Sequence, residues 1–263
     1  DISTGEFSTT EYRGAEGLQA LTDEISVLRP REVVVPGDGT VGERFPELAR
    51  LQLPVTNTEG WTFDAETARR ALLDQLKTHG LDGFGLEGRI AAIQAAGGLV
   101  AYLRDTQKAD LAHVRAISYR TSADCLIVDP ITLKHLEVVT GSDGSAHGSL
   151  LKEIDRTITA MGGRLLRAWL LRPLCALERI RDRLDAVEEL AFRSTERGKF
   201  REAMKAVHDL ERLVARAALA TTGPREVVSL RLSLAAVPRV KQILRDVQAP
   251  LLLSLCAILW RSR

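Results

Sequence analysis

The sequence has few cysteines, few aromatic residues and no long apolar run. Its 263 residues include 3 cysteines and 5% aromatic residues. Cys125, Cys175 and Cys256 form no CxxC pair, so their spacing indicates neither a zinc site nor a disulfide framework and favours a reducing cytoplasm. The longest apolar stretch, residues 249–260, is interrupted by Pro250 and is shorter than the roughly 20 residues of a membrane-spanning helix. It predicts a buried helix instead.

Several motifs that would indicate catalysis are also absent. The chain contains no GxxxxGK[ST] phosphate-binding loop, no HExxH and no GxSxG. Its five histidines have no partner at metal-ligand spacing, and we expect them to be structural or exposed. We therefore predict no catalytic, cofactor-binding or metal-binding residue. The chain begins with Asp1 rather than Met and has no secretory signal, so we expect a processed or excised fragment.

The near-neutral net charge conceals two different halves. Residues 1–112 carry a formal charge of −7 and residues 113–263 a charge of +8, which together give +1. Such asymmetry predicts two domains, with the basic one a candidate for binding polyanions or an acidic partner. Because 29 of the 36 basic residues are Arg, a compositional bias toward Arg is an equally valid reading of the same charge.

The first half has the pattern of a mixed α/β domain. Residues 1–12 have strand composition with a turn at residues 3–5, residues 18–28 show helical spacing, and residues 33–35 are a short β-branched strand. A further helix should begin at Asp64, with its carboxylate as the cap, and end near Gly80. Its inward face is predicted to comprise Ala68, Ala71, Leu72 and Leu76.

Residues 90–103 predict another helix, but Gly97 and Gly98 fall inside it. Each glycine should cost roughly 1 kcal/mol relative to alanine. Either the helix starts later, or something packs closely against the two glycines.

From residue 131 onward helical periodicity replaces the strand signal. Apolar residues between Leu150 and Leu170 advance by three or four positions and predict one long, buried helix. Further helices are predicted around residues 180–192, 200–207, 210–219 and 227–237, broken at Pro173, Gly198, Gly223, Pro224 and Pro238. The second half is therefore predicted to be all-α, joined to the first near residues 108–120.

Two glycine-rich stretches are candidate anion sites. Gly37, Gly39 and Gly42 form a GxGxxG after a strand, with Glu59 downstream as in a dinucleotide fold, but Pro46 falls inside the expected phosphate-binding helix. A surface loop is the simpler interpretation. Residues 141–148 precede the long helix, whose N-terminus could bind an anion, although this composition favours a flexible linker.

The arginines of the second half are the remaining candidates for nucleic-acid contact. Arg156, Arg164, Arg167 and Arg172 lie on or beside the long helix and could approach phosphates. By contrast, residues 178–185 alternate acidic and basic side chains, which is typical of a solvated helix face.

Several segments resemble the MutS family of DNA mismatch repair proteins. Residues 1–7, 83–87 and 95–107 resemble that family's connector domain. Residues 150–174 and 209–216 are similar to its core, or lever, domain, and the resemblance runs in order from residue 1 to about 247. It stops near Ala249, where the family would have a charged helix, so residues 249–263 are expected to expose apolar side chains and to favour self-association.

The resemblance implies an α/β connector of ribonuclease-H-like topology (residues 1–112) followed by an all-α lever, truncated at its C-terminal end (residues 113–263). These parts would couple mismatched-DNA binding to an ATPase and contribute to binding a MutL-type partner. Gly162 and Gly163 would be a tight packing point, and Arg164 an ion-pair candidate.

In the family, ATP and Mg²⁺ belong to an ATPase domain that this chain lacks, so we expect no cofactor and no enzymatic activity here. The family also implies a homodimeric, cytoplasmic protein without membrane attachment. Two alternatives remain open: a nucleotide-binding enzyme that uses the loop of Gly37, Gly39 and Gly42, and a free-standing DNA-binding module in the basic half.

Overall fold

The chain folds into two compact units, Asp1–Thr121 and Ser122–Arg263. A computed structural model describes residues 1–37, 41, 43, 45–46, 50–107, 111–121 and 125–261. The first unit extends past the boundary expected at residues 112/113, because a strand at Ser118–Tyr119 pairs with the strand near the start of the chain. No described helix is both long and apolar enough to span a bilayer.

The first unit is α/β, as its sequence pattern predicts. Its described elements, in order, are β1 (Ser8–Thr9), α1 (Gly14–Leu28), β2 (Val33–Pro36), β3 (Val55–Thr58), α2 (Ala65–Leu76), α3 (Ile90–Gln107) and β4 (Ser118–Tyr119). The strands form two parallel pairs, β1 with β4 and β2 with β3. A 3-10 turn, Gly60–Phe63, leads into α2.

The larger of two apolar clusters in the described part of this unit forms its main core. It lies between α2, α3 and the segment that enters β4, with Phe7 and Tyr119 packed at its margin. Its buried members are Leu72, Leu81, Leu86, Ala92, Ile93, Ala96, Val100 and Ile117. Of the predicted inward face of α2, Ala68 and Leu72 are buried, while Ala71 and Leu76 are partly buried against the core.

The two glycines inside α3 are there because other groups pack against them. A Cβ added to Gly97 would overlap the backbone of Ala68 on α2, and one added to Gly98 would overlap the ring of Phe63. The helix does not start later, since α3 runs without interruption through both positions. Glycine destabilises α3 at these positions, but it allows α2 and α3 to approach closely.

The capping predicted for α2 is wrong in detail. Asp64 occupies the cap position, but its side chain accepts no hydrogen bond from the first turn. The helix ends before Gly80, because Lys77 takes the left-handed conformation (φ 52°) and its amide bonds the carbonyl of Leu73. A non-glycine residue therefore ends this helix in the conformation that usually selects glycine.

The second unit is helical. Its described helices are α4 (Pro130–His135), α5 (Leu150–Ile154), α6 (Ala160–Leu171), α7 (Leu177–Phe192), α8 (Ser194–Met204), α9 (Leu210–Ala218), α10 (Pro224–Ile243) and α11 (Pro250–Arg261). One isolated antiparallel bridge joins Cys125 to Leu174, so extended backbone does not vanish completely after residue 131.

The single long helix expected from Leu150 to Leu170 is wrong. The chain breaks between α5 and α6, where the carboxylate of Asp155 accepts the backbone N–H of Thr157 at 2.8 Å. Thr159 then caps α6 by accepting the N–H of Gly162 at 3.1 Å. The side chains of aspartate and threonine can accept hydrogen bonds from backbone N–H groups that have no partner in a helix. A prediction from apolar periodicity does not take these hydrogen bonds into account. Nor is α6 buried, since Leu165 is 51% exposed.

Two predicted breaks are likewise wrong, because Gly198 and Pro238 lie inside α8 and α10. Gly198 is exposed, with nothing within 4 Å of an added Cβ. Pro238 cannot donate to the carbonyl of Leu234, but this side of α10 faces solvent, where water can take the donor's place.

The glycine-rich segment before α5 is a hydrogen-bonded loop rather than an open linker. Asp143 accepts the N–H and the hydroxyl of Ser145 at 2.8 and 3.0 Å, and Gly141 donates to the carbonyl of Ser145. Ser149 is 1% exposed and caps α5 through the N–H of Lys152. With five residues, α5 is too short to form an anion site at its N-terminus.

Candidate functional site

The strongest side-chain cluster in the helical unit joins α6 to α9. Arg164 points from α6 to Asp209, the cap of α9, and donates to both carboxylate oxygens at 2.7 Å. The same guanidinium donates to Glu211 at 2.6 Å. A planar guanidinium matches a carboxylate with two parallel hydrogen bonds, so this contact fixes orientation as well as distance.

The electrostatics of this cluster favour the charged forms of both partners. The hydrogen bond from Arg164 lowers the pKa of Asp209 despite partial burial of that carboxylate. The bond to Asp209 in turn raises the pKa of Arg164 further above its ordinary value. The Arg164 and Asp209 side chains are only 30% and 20% exposed, so solvent screens the pair incompletely. Asp209 also accepts the N–H of Arg212, which ties the pair to the first turn of α9.

A second junction closes the C-terminal part of the same unit. Glu189 on α7 accepts the backbone N–H groups of Gln248 and Ala249, which precede α11, and it pairs with Arg193 at 3.2 Å. Arg193 donates onward to the carbonyl of Asp246 at 2.7 Å. A carboxylate on one helix therefore satisfies the free amide groups at the start of another, as a cap residue would.

In the first unit, Gln75 is the corresponding junction. It is 6% exposed on α2 and donates to the carbonyls of Leu111 and Val114 at 2.9 and 3.0 Å. Its own carbonyl accepts two N–H groups of Arg104 on α3. One buried amide thus joins α2, α3 and the segment leading to β4, with all of its strong groups satisfied.

The glycine loop proposed for nucleotides carries no assembled phosphate site in its described part. Gly37 continues the β2–β3 pairing, donating to the carbonyl of Thr58 at 2.7 Å. Glu59 starts the 3-10 turn, where its carbonyl accepts the N–H of Thr62. Gly39 and Gly42 lie outside the described residues.

Within the described residues, no three His, Cys, Asp or Glu side chains are close enough to hold a metal ion. All three cysteines are free. His113 contacts the carbonyl of Ile2 through Nε2 at 2.8 Å, a structural role.

The four arginines singled out in the sequence do not share one role. Arg164 forms the ion pair that the sequence comparison implied, whereas Arg156 bonds the carbonyl of its neighbour Asp155 and Arg167 is exposed. Arg172 is half-buried after the end of α6. Gly162 and Gly163 face Thr157 and Asp155 of the preceding turn, so they accommodate the helix start rather than a neighbouring helix.

One arginine in the segment predicted to be a solvated helix face is instead partly buried and packs against an aromatic ring. The guanidinium of Arg183 on α7 stacks over the ring of Trp169 on α6 at 3.6 Å from its centroid. Burial lowers the pKa of Arg183. The alternating charges around it did not single it out, and neither Gln75 nor the partners of Arg164 could be identified from spacing alone, because each contact joins residues far apart in the chain.

Comparison with known proteins explains why the two units follow each other in this order. Residues 1–115 match the family model of MutS domain II, and residues 131–259 match that of MutS domain III. The second match continues through most of α11, so the expectation that the resemblance stops near Ala249 is wrong.

Curated relatives agree with the family models over nearly the whole chain. The DNA mismatch repair protein MutS of Symbiobacterium thermophilum is 40% identical over 257 residues, covering 97% of this chain and 29% of the relative. The MutS proteins of Nostoc punctiforme and Solibacter usitatus are 38% and 40% identical, covering 97% and 95% of this chain. The chain thus spans about 30% of the length of the curated relatives it matches. It belongs to the MutS family of DNA mismatch repair proteins, of which it comprises domains II and III.

Proposed function

We propose that this chain is the connector and lever of a cytoplasmic MutS-type mismatch recognition protein. In this role it couples the binding of mismatched duplex DNA, by one part of the assembled protein, to ATP hydrolysis by another. The chain itself binds no nucleotide or metal and catalyses no reaction. The assembled protein is a homodimer, and its connector contributes to binding a MutL-type partner.

The observation that carries this proposal is the arrangement of α6 and α9. A lever must transmit a displacement from one helix to another without slipping, and Arg164 joins the two helices through a two-point contact with Asp209 and a third with Glu211. Such a contact resists rotation better than a single hydrogen bond. Coupling between distant sites needs elements that move as rigid bodies.

We further infer that the first unit is the connector, with a ribonuclease-H-like topology. Its parallel strand pairs and its helices support an α/β connector. Its apolar core and the Gln75 junction give it rigidity independent of the second unit. The domain boundary in this proposal lies where the compact units divide, after Thr121.

A chimera tests the proposal. Residues 1–259 would replace the matching segment of the Symbiobacterium thermophilum protein, and ATP hydrolysis would be measured with matched and mismatched duplex DNA. We expect the chimera to respond to the mismatch as its parent does. The variant Arg164→Ala should retain hydrolysis on matched DNA but lose most of the mismatch response, while exposed Arg167→Ala serves as the control.

A chimera that folds and hydrolyses ATP yet ignores mismatches would contradict the proposal. So would mismatch-dependent ATP hydrolysis by the 263-residue chain alone. The nucleotide-binding enzyme and the free-standing DNA-binding module are not favoured, because the two units match domains II and III of one family in the expected order.

A further inference from the structure

Both ends of α9 are tied to α10 by polar contacts. At the start of α9, the backbone N–H of His208 donates to the hydroxyl of Ser233 on α10 at 2.9 Å. At the other end, Arg216 pairs with Glu226 in the first turn of α10 at 2.7 Å. The two helices also pack against each other. Two ties placed at opposite ends of α9 hold it in one position and one orientation on α10.

The contact at the start of α9 is buried. Ser233 has 0% exposed surface, although serine is mostly exposed in folded proteins. Its hydroxyl donates to the carbonyl of Ser229, one turn earlier in α10, at 2.8 Å and accepts the N–H of His208. The hydroxyl is thus used as donor and as acceptor. An alanine at this position would leave the buried N–H of His208 without its acceptor, which is unfavourable away from water.

The contact at the end of α9 uses one guanidinium for two bonds. Besides pairing with Glu226, Arg216 donates to the carbonyl of Thr221 in the corner between the helices at 3.1 Å. Glu226 in turn accepts the N–H of Gly223 at 2.9 Å and so caps α10. The Arg216 and Glu226 side chains are 52% and 28% exposed. Because solvent screens an exposed ion pair, we expect this tie to be weaker than the buried one at Ser233.

The start of α9 also receives the contact from α6. Asp209, which accepts both hydrogen bonds of Arg164, directly follows His208 in the chain. We infer that α9 and α10 move as one rigid arm, and that Ser233 is the positioning residue that passes a displacement of α6 from Asp209 to α10. Hydrogen bonds that join rigid helices are one means by which distant sites are coupled. The inference rests on the proposed function and assigns one further residue to it.

The chimera with the Symbiobacterium thermophilum protein tests the role of Ser233. The mismatch response is the increase in ATP hydrolysis on mismatched over matched duplex DNA. We expect Ser233→Ala to lower this response at least about fivefold, with hydrolysis on matched DNA changed by less than about twofold. The matched control is Ser229→Ala on the same helix. Its hydroxyl donates to the carbonyl of Arg225 within α10, so its removal should leave the response intact.

Hydrogen exchange separates a role in transmission from a role in stability. In the unsubstituted chimera, mismatched DNA should change amide exchange in α6, α9 and α10 relative to matched DNA. With Ser233→Ala the difference should persist in α6 and be lost in α10, because the tie between the arm's two helices is missing. A variant that is merely less stable would exchange faster in all of these helices with either DNA.

A second variant decides the question if Ser233→Ala does not fold. Glu226→Gln keeps an acceptor for the N–H of Gly223 but removes the ion pair with Arg216. We expect it to lower the mismatch response about twofold, less than Ser233→Ala, since the pair is partly exposed. An undiminished response in this variant would then overturn the inference.

The remaining outcomes distinguish the inference from the proposed function. A full mismatch response in Ser233→Ala overturns the inference, and so does an equal loss in Ser229→Ala or an exchange difference that persists in α10. A response that survives Ser233→Ala but not Arg164→Ala contradicts the rigid arm alone. An unsubstituted chimera that hydrolyses ATP but ignores mismatches contradicts the proposed function, and the inference fails with it.

Discussion

The two units of the chain are stabilised in different ways. The α/β unit buries large apolar residues in one cluster, including Leu72, Leu81 and Leu86, each with no exposed surface. In the helical unit most of the buried residues are small, among them Ala186, Ala203 and Ala215, while large side chains such as Phe192 remain exposed. There, ion pairs and caps fix the helices. The comparison teaches that the first unit is stabilised mainly by apolar packing, whereas the second depends more on ion pairs and helix caps.

The largest effect should come from opening the core of the α/β unit. Leu72→Ala removes a fully buried side chain that contacts both helices of that core, and its expected cost is about 3–5 kcal/mol of unfolding free energy. Leu165→Ala in the helical unit, at a half-exposed position, should cost less than about 0.5 kcal/mol. Urea unfolding monitored by hydrogen exchange resolves the two units. Equal losses of unfolding free energy in the two variants would contradict the difference in packing between the two units.

Glycines offer a second way to sharpen the comparison. Gly97→Ala forces a methyl group into the backbone of Ala68, and we expect a loss of about 1–3 kcal/mol in the α/β unit. The matched change in the helical unit, Gly198→Ala, meets no atom within 4 Å inside α8, so it should stabilise by up to about 1 kcal/mol. Thermal unfolding of both variants shows whether each substitution raises or lowers the stability. A Gly97→Ala variant as stable as the parent would contradict the close contact between α2 and α3 at this position.

Removing the ion pairs between α6 and α9 in the helical unit should lower the unfolding free energy by a smaller amount. Arg164→Ala removes the contacts with Asp209 and Glu211, and we expect a loss of about 1–2 kcal/mol once partial solvent screening is allowed for. A double-mutant cycle with Asp209→Asn measures the coupling, and Arg167→Ala, at an exposed position of the same helix α6, is the control. Additive effects would show that the two residues do not interact.

The smallest expected effect is the dependence of the unfolding free energy of the helical unit on pH. Because the bond from Arg164 lowers the pKa of Asp209 in the folded state, the unfolded chain takes up a proton first as the pH falls. The stability contributed by Asp209 is therefore fully present at pH values above the ordinary aspartate pKa, and it is lost progressively as the pH falls through the lower, folded pKa. The urea midpoint of the helical unit should fall less steeply with decreasing pH in Asp209→Asn than in the parent chain. An unchanged acid slope would contradict this.

The sequence predicted the elements whose evidence is local. Apolar spacing from Leu18 to Leu28 and the β-branched run beginning at Val33 correspond to α1 and β2. The apolar periodicity after residue 131 predicted helices but not where they end. The break between α5 and α6 is made by Asp155 and Thr159, whose polar side chains accept backbone N–H groups and do not belong to the apolar pattern. The family resemblance implied an ion pair for Arg164, whereas nothing local identified Asp209 as its partner. The Gln75 junction was not predicted, since a glutamine in an amphipathic helix is ordinarily exposed.

The position of Gln75 has a mechanical consequence. Its amide holds the backbone at Leu111 and Val114, shortly before the chain leaves the first unit. The strand that follows is paired over only two residues, Ser118 and Tyr119. Tension applied at Thr121 would first load that short pairing and then the two hydrogen bonds of Gln75, which would pass it to α2 and α3. A single-molecule pulling trace should therefore show two successive yield points at this end of the unit, and Gln75→Leu should remove the second.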